Sequence, residues 1–195
     1  MCTVFEQCPV IENERFMLRL VLVDDARNLL RVYSDKNALP FFNSDNCNGN
    51  IFYYQTEEKL RELIKFWLWE YECKRYVRFA IEDKKYNEVI GTIELFKRIS
   101  NDNFNESGVM RLDVRSDLEN TEVLYGILEI IRNPAFELFN CSKIATKAAS
   151  YAIERIEALE KMNYVKTDDM LLVADGRSYG DYWIIKQLNK LYQEF

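Results

Sequence analysis

The sequence predicts one α/β domain, built on a mixed, mostly antiparallel central sheet with helices on both faces. Three observations carry that expectation. Strand-like and helix-like stretches follow one another in the order β-α-α-β-β-β-α-β-α-β-β. Two β-prone runs, residues 77–82 and 89–96, are separated by a polar turn, DKKYNE, and read as an antiparallel hairpin. A 16-residue amphipathic stretch, residues 57–72, is long enough to cover a sheet face. A chain of 195 residues can bury a single core. We divide it into an N-terminal extension, residues 1–13, and one domain, residues 14–195.

The elements follow in order. Residues 16–23, FMLRLVLV, alternate as a strand, and Asp24 and Asp25 then offer helix N-caps. Ala26, Leu29, Leu30 and Tyr33 recur at helical spacing. Residues 40–50, PFFNSDNCNGN, form a loop of turn residues carrying two adjacent aromatics. Thr56 opens the long helix, whose stripe is Leu60, Leu63, Ile64, Trp67, Leu68 and Tyr71; Trp69 falls off the stripe. Residues 109–115 are a strand with Val109, Arg111, Asp113 and Arg115 on one side and Met110, Leu112 and Val114 on the other. Val123, Leu124, Ile127, Leu128 and Ile131 mark a helix bounded by Pro134. Residues 143–148 are a short strand, and residues 151–162 a helix ending at Asn163. Residues 170–174 and 181–187 close the chain as a hairpin across DGRSYG.

Composition narrows the chemistry. With 26 basic and 32 acidic residues the net charge is −6, which disfavours a nucleic-acid partner and suits a cationic or amine-bearing one. The five cysteines, Cys2, Cys8, Cys47, Cys73 and Cys141, are odd in number and form no CxxC, so they read as reduced thiols of a cytoplasmic protein. The N-terminus lacks a basic-then-apolar leader, and no apolar run approaches the ~18 residues of a membrane span, so no membrane partner is expected. Histidine is absent. That removes Ser-His and Cys-His dyads and HExxH zinc sites, and no metal site is expected. Acid–base work falls to carboxylates, Tyr, Lys, Cys or water. Nothing near Cys141 in sequence activates it as a nucleophile.

Three stretches resemble the GNAT superfamily of acyl-CoA-dependent N-acyltransferases, most of all the branch of ribosomal-protein N-terminal acetyltransferases. FAIEDKKYNEVIGTIELF, residues 79–96, is similar to the central hairpin with its xxxIGxxxL ending. AIERIEALEKMNYVK, residues 152–166, looks like the NxxSxRVLEKLGF helix and strand end. ADGRSYGDYWIIKQL, residues 174–188, is similar to the closing hairpin. The likeness spans the chain from Glu14 onward.

The resemblance implies a GNAT fold, acetyl-CoA as cosubstrate, and a small-molecule or peptide amine as acceptor. It makes the stretch from residue 109 to 131 the functional centre. Leu112, Asp113 and Val114 would part from the strand beginning near Lys143 and offer backbone groups to pantetheine amides. The pyrophosphate loop, QxxGxG/A or RxxGxG/A in the family, corresponds to Arg115, Ser116, Asp117, Leu118, Glu119, Asn120 and Thr121. Here the loop has no glycine and carries Asp117 and Glu119, with Glu122 just after. The family's Asn, Ser and Tyr on the later helix correspond to Ala152, Arg155 and Leu159, and its Gly to Asn163. Glu94 lies on the strand that supplies a general base in many members. Phe41, Phe42, Asn43 and Asp45 lie where an acceptor pocket is built, aromatics and a carboxylate being suited to an amine. Two readings follow: an N-acetyltransferase acting on a primary amine, or a catalytically impaired GNAT-fold protein serving as a CoA-binding or regulatory module. Either a monomer or a homodimer fits.

Overall fold

The computed structural model describes residues 3–173 and 175–187; Cys2 and Ala174 lie outside the described residues. The chain opens with β1 (Ile11–Glu12) and β2 (Phe16–Leu20), followed by α1 (Ala26–Tyr33) and α2 (Glu57–Glu72). The central hairpin is β3 (Val77–Asp83) and β4 (Glu88–Lys97). Next come β5 (Gly108–Val114), α3 (Thr121–Phe139), β6 (Lys143–Lys147) and α4 (Ile153–Lys161). Four short strands complete it: β7 (Val165–Lys166), β8 (Leu171–Leu172), β9 (Ser178–Tyr179) and β10 (Tyr182–Lys186).

Eight strands form one sheet in the order β1-β2-β3-β4-β5-β6-β10-β7. Its pairs are antiparallel except β5 with β6, which run parallel because α3 carries the chain back across the sheet. That parallel pairing runs only from Gly108–Ile144 to Met110–Thr146, although β5 continues to Val114. Beyond Met110 the two strands part and leave a cleft.

Alternation gives the sheet two unlike faces. Val77, Phe79, Ile93, Leu95, Met110 and Leu112 pack with Leu124, Ile127, Leu128 and Ile131 of α3 and with α4 in the main core. The opposite face carries Arg78, Thr92, Glu94, Arg111 and Asp113 at its centre and is covered by α1 and α2 through Leu29, Val32, Leu60, Ile64 and Trp67. Thr56 caps α2 by accepting from the Lys59 N–H at 3.4 Å. Trp67 is buried, and Trp69, off the stripe, is exposed.

Several expectations are corrected. β2 stops at Leu20, because the Asp25 carboxylate accepts from the Leu22 N–H at 2.7 Å and from Arg19, folding residues 23–25 into a 3-10 turn. Pro134 does not end α3, which runs five residues further to bury Ala135, Phe136 and Phe139; only one donor is lost, and Asn140 closes the helix in the left-handed region (φ 43°). The closing hairpin splits. β8 pairs with β9 in a separate ribbon, while β10 lies between β6 and β7, and the Asp181 carbonyl accepts from the Ala148 N–H. Asn163, just past α4, lies in the left-handed region (φ 64°). Residues 3–12 of the N-terminal extension pack on the domain: Val4 is fully buried, Phe5 packs on Tyr71 and Phe139, and β1 pairs with β2. Among the described residues no helix is long and apolar enough to cross a membrane.

Two tests follow from these contacts. A Cβ on Gly91 would lie 2.2 Å from the Asp113 carbonyl of the neighbouring strand. Gly91→Ala should therefore destabilise the protein by about 1–3 kcal/mol in urea unfolding. Asp102 ties the β4–β5 loop to β8: burial raises its carboxyl pKa, but hydrogen bonds from Arg98, Ser100 and the Leu172 and Phe104 N–H groups outweigh burial and hold it below the usual carboxylate range. A lowered folded-state pKa adds stability above the unfolded-state value and loses it as pH falls through the folded one. The melting temperature of Asp102→Asn should thus lie below wild type at pH 7 and converge on it in acid.

Candidate functional site

The centre of the polar face is a buried charge cluster set by strand register. Arg78, Glu94 and Arg111 sit opposite one another across β3, β4 and β5, with Ala80, Thr92 and Asp113 in the next row. Arg78, 1% exposed, pairs through Nη2 with Glu94 and through Nη1 with Asp113 at 3.5 Å, and its guanidinium lies 4.1 Å from the Trp67 ring centre. Arg111 Nη1 donates to the other Glu94 oxygen at 2.7 Å. The Tyr33 hydroxyl donates to Asp113 at 2.9 Å. Burial alone would lower the Arg78 pKa, but the charge of Glu94, with Asp113 beside it, raises it above its ordinary value. Burial also pushes the Asp113 carboxyl up despite Arg78, whose shorter contact goes to Glu94.

Glu94 is therefore held by a guanidinium on each oxygen and is 3% exposed. It is not part of the wall of the neighbouring cavity. Its surroundings suit a structural counter-ion better than a base that must meet a substrate amine.

Phe41, Phe42, Asn43 and Asp45, by contrast, come together. They line a cavity of about 290 Å³ between the α1–α2 loop and the β6–α4 turn, with Lys147, Tyr151 and Arg155 on the far side. Asp45 anchors this loop. Its carboxylate accepts from Lys147 Nζ at 2.8 Å on both oxygens and from the Tyr182 hydroxyl at 3.1 Å, while its carbonyl accepts from Arg111 at 2.7 Å. Phe42 packs against Tyr33. Tyr151 closes the rim, its hydroxyl donating to the Pro40 carbonyl at 2.7 Å and its ring meeting Phe41. Sequence reading missed Lys147, Tyr151 and Tyr182, for only the fold brings them to this loop.

The cleft between β5 and β6 holds side chains of the chain itself. Arg155 Nη1 donates to the Leu112 carbonyl at 2.9 Å, and Arg155 Nε and Nη2 donate to the two Glu119 oxygens at 2.6 and 2.8 Å. Both side chains are 4% exposed. At the start of α3 the Thr121 N–H donates to the Glu154 carboxylate at 2.8 Å, and the Val123 N–H to the Asn120 side chain at 3.1 Å. The Ser116 N–H donates to Asp35 at 2.9 Å. Arg115 is paired with Asp117 and Glu88, and Leu118 packs on the main core. Asp113 and Val114 point to opposite faces of β5, Asp113 into the charge cluster and Val114 into the apolar core. As these residues stand they do not fit the pyrophosphate and pantetheine of CoA. Backbone donors that would meet a phosphate already serve carboxylates, Ser116 that of Asp35 and Thr121 that of Glu154, and the cations of the stretch, Arg115 and Arg155, are already paired with Asp117 and Glu119.

No protein-family model matches the chain, and no curated protein matches it. Solved structures do. A ribosomal-protein-S5-alanine acetyltransferase from Vibrio fischeri superposes with TM-score 0.67 at 15% identity, covering 95% of this chain and 100% of that one. RimJ from Mycobacterium smegmatis, in complex with CoA-disulfide, gives 0.68 at 14% identity over 95% and 88%. A spermidine N-acetyltransferase from Vibrio cholerae, in complex with CoA and spermine, gives 0.63 at 17% identity over 90% and 97%. The chain has the fold of the GNAT acetyltransferases, and ribosomal-protein acetyltransferases are among the structures it is similar to.

The cluster yields its own test. Glu94→Gln leaves two guanidinium groups without their shared counter-ion, so it should cost about 3–5 kcal/mol in chemical denaturation. A folded protein of unchanged stability would show that Glu94 is not the structural counter-ion described.

Proposed function

We propose that this protein is a GNAT-fold binding or regulatory module with impaired acyl transfer, whose ligand pocket is the cavity between Phe41 and Tyr151. The observation that carries this reading is the start of α3, where Glu154 and Asn120 take the backbone donors that would otherwise meet an anion. The pocket's aromatic rim suits a small-molecule or peptide amine, held over the rings of Phe41 and Tyr151, and the net charge of −6 suits a cationic partner. The cysteine usage supports a cytoplasmic location.

A second reading has a specific observation behind it. The divergence of β5 from β6 beyond Met110 is kept, directly beside a cavity that could receive an amine. That supports an acetyl-CoA-dependent N-acetyltransferase acting on a primary amine such as a polyamine or a protein α-amine, the acceptors suggested by the spermidine and ribosomal-protein enzymes it is similar to.

Thermal unfolding with CoA and with acetyl-CoA separates the two. A ligand present at 100-fold over its dissociation constant stabilises by about 2.7 kcal/mol. We expect no shift at millimolar CoA or acetyl-CoA. A clear shift, together with acetylation of a polyamine or a peptide α-amine, would establish the enzyme and sink the module.

A further inference from the structure

We propose that Arg155 and Glu119 form a built-in plug that closes the β5–β6 cleft from within, while Glu154 caps the start of α3, so that the chain itself satisfies the backbone groups an external ligand would otherwise satisfy. The inference rests on the module reading and explains how the cleft excludes an amide-bearing or phosphate-bearing ligand.

The plug follows from elementary accounting. Once β6 turns away beyond Thr146, the Leu112 carbonyl loses its sheet neighbour inside the protein. A buried carbonyl without a donor costs about 1–3 kcal/mol. Arg155 reaches it from α4, and the guanidinium then needs a buried counter-charge of its own. Glu119 supplies that in a two-point pair, which draws the loop before α3 against the cleft. The neighbouring residue, Glu154, turns the other way and takes the Thr121 N–H, placing negative charge at the positive end of the α3 dipole. Two consecutive residues of α4 thus serve two backbone groups, Arg155 inside the cleft as a donor to a carbonyl and the exposed Glu154 at the start of α3 as an acceptor from an amide. Arg155 is also a wall of the 290 Å³ cavity, so its withdrawal would join that cavity to the cleft.

The test opens the plug without leaving a buried charge unpaired: Arg155→Ser combined with Glu119→Gln, probed by calorimetry with pantetheine and with CoA, folding being checked by circular dichroism and thermal melting. The double variant should bind pantetheine at least tenfold more tightly than wild type, about 1.4 kcal/mol. Arg155→Lys, which keeps a cation in the cleft, should gain nothing. Adding Glu154→Ala to the double variant should improve CoA but not pantetheine, because only CoA carries the diphosphate. A folded double variant that binds pantetheine no better than wild type overturns the plug. Should the double variant fail to fold, Arg155→Ala combined with Glu119→Leu, which likewise removes both charges, is judged by the same tenfold gain or its absence. The module reading fails separately, through wild type that binds CoA and acetylates an amine. A further tenfold gain on opening would then leave the plug standing.

Discussion

A guanidinium buried in the middle of a sheet is the constraint on which this architecture turns. Arg78 sits on a central strand at 1% exposure, where an unpaired charge would cost several kcal/mol. Strand register answers it, placing Glu94 directly opposite and Asp113 one row along. The answer reaches outward. Trp67 of α2 lies over the guanidinium, Tyr33 of α1 donates to Asp113, and Arg111 passes the charge of Glu94 on to the carbonyl of Asp45. One cluster of charges thus ties the helical layer and the cavity loop to the sheet, beside the apolar packing of α1 and α2, while the opposite face is covered mainly through apolar side chains.

That division explains what can be read from residues alone. The strand alternation of residues 77–82 and 109–115 and the helical stripe of residues 57–72 are local patterns, and the fold follows them, with β5 ending one residue earlier at Val114. The two faces of β5 were legible for the same reason, and the four cavity residues Phe41, Phe42, Asn43 and Asp45 come from one contiguous loop. Pro134 misled because a break rule for one donor is weaker than burial of Phe136 and Phe139 beyond it. The closing hairpin misled because β10 is claimed by β6, some 35 residues earlier in sequence, through five cross-strand pairs.

Side-chain partnership at a distance was the illegible part. A carboxylate on a strand reads the same whether it faces substrate or a guanidinium, and the Arg78–Glu94 pairing depends on hairpin register. Arg155 reads as a departure from a family pattern until the fold sets it against Glu119, 36 residues away in sequence. Residues 115–121 carry no glycine, and in the fold the Ser116 and Thr121 N–H groups of this stretch donate to Asp35 and Glu154, partners that no local pattern announces.

The packing of residues 3–12 has a practical consequence. Two residues of β1 shield the outer rim of β2, while Val4 and Phe5 fill a recess floored by Phe139, and Tyr71 donates from α2 to the Val4 carbonyl. Shortening the chain to the domain suggested by sequence would strip a strand edge and open an apolar hollow on the same side. Unpaired rims beside exposed apolar surface are where chains stick to one another. Proteolytic trimming of this stretch would therefore be expected to show first as precipitation, while the distant cavity was still intact.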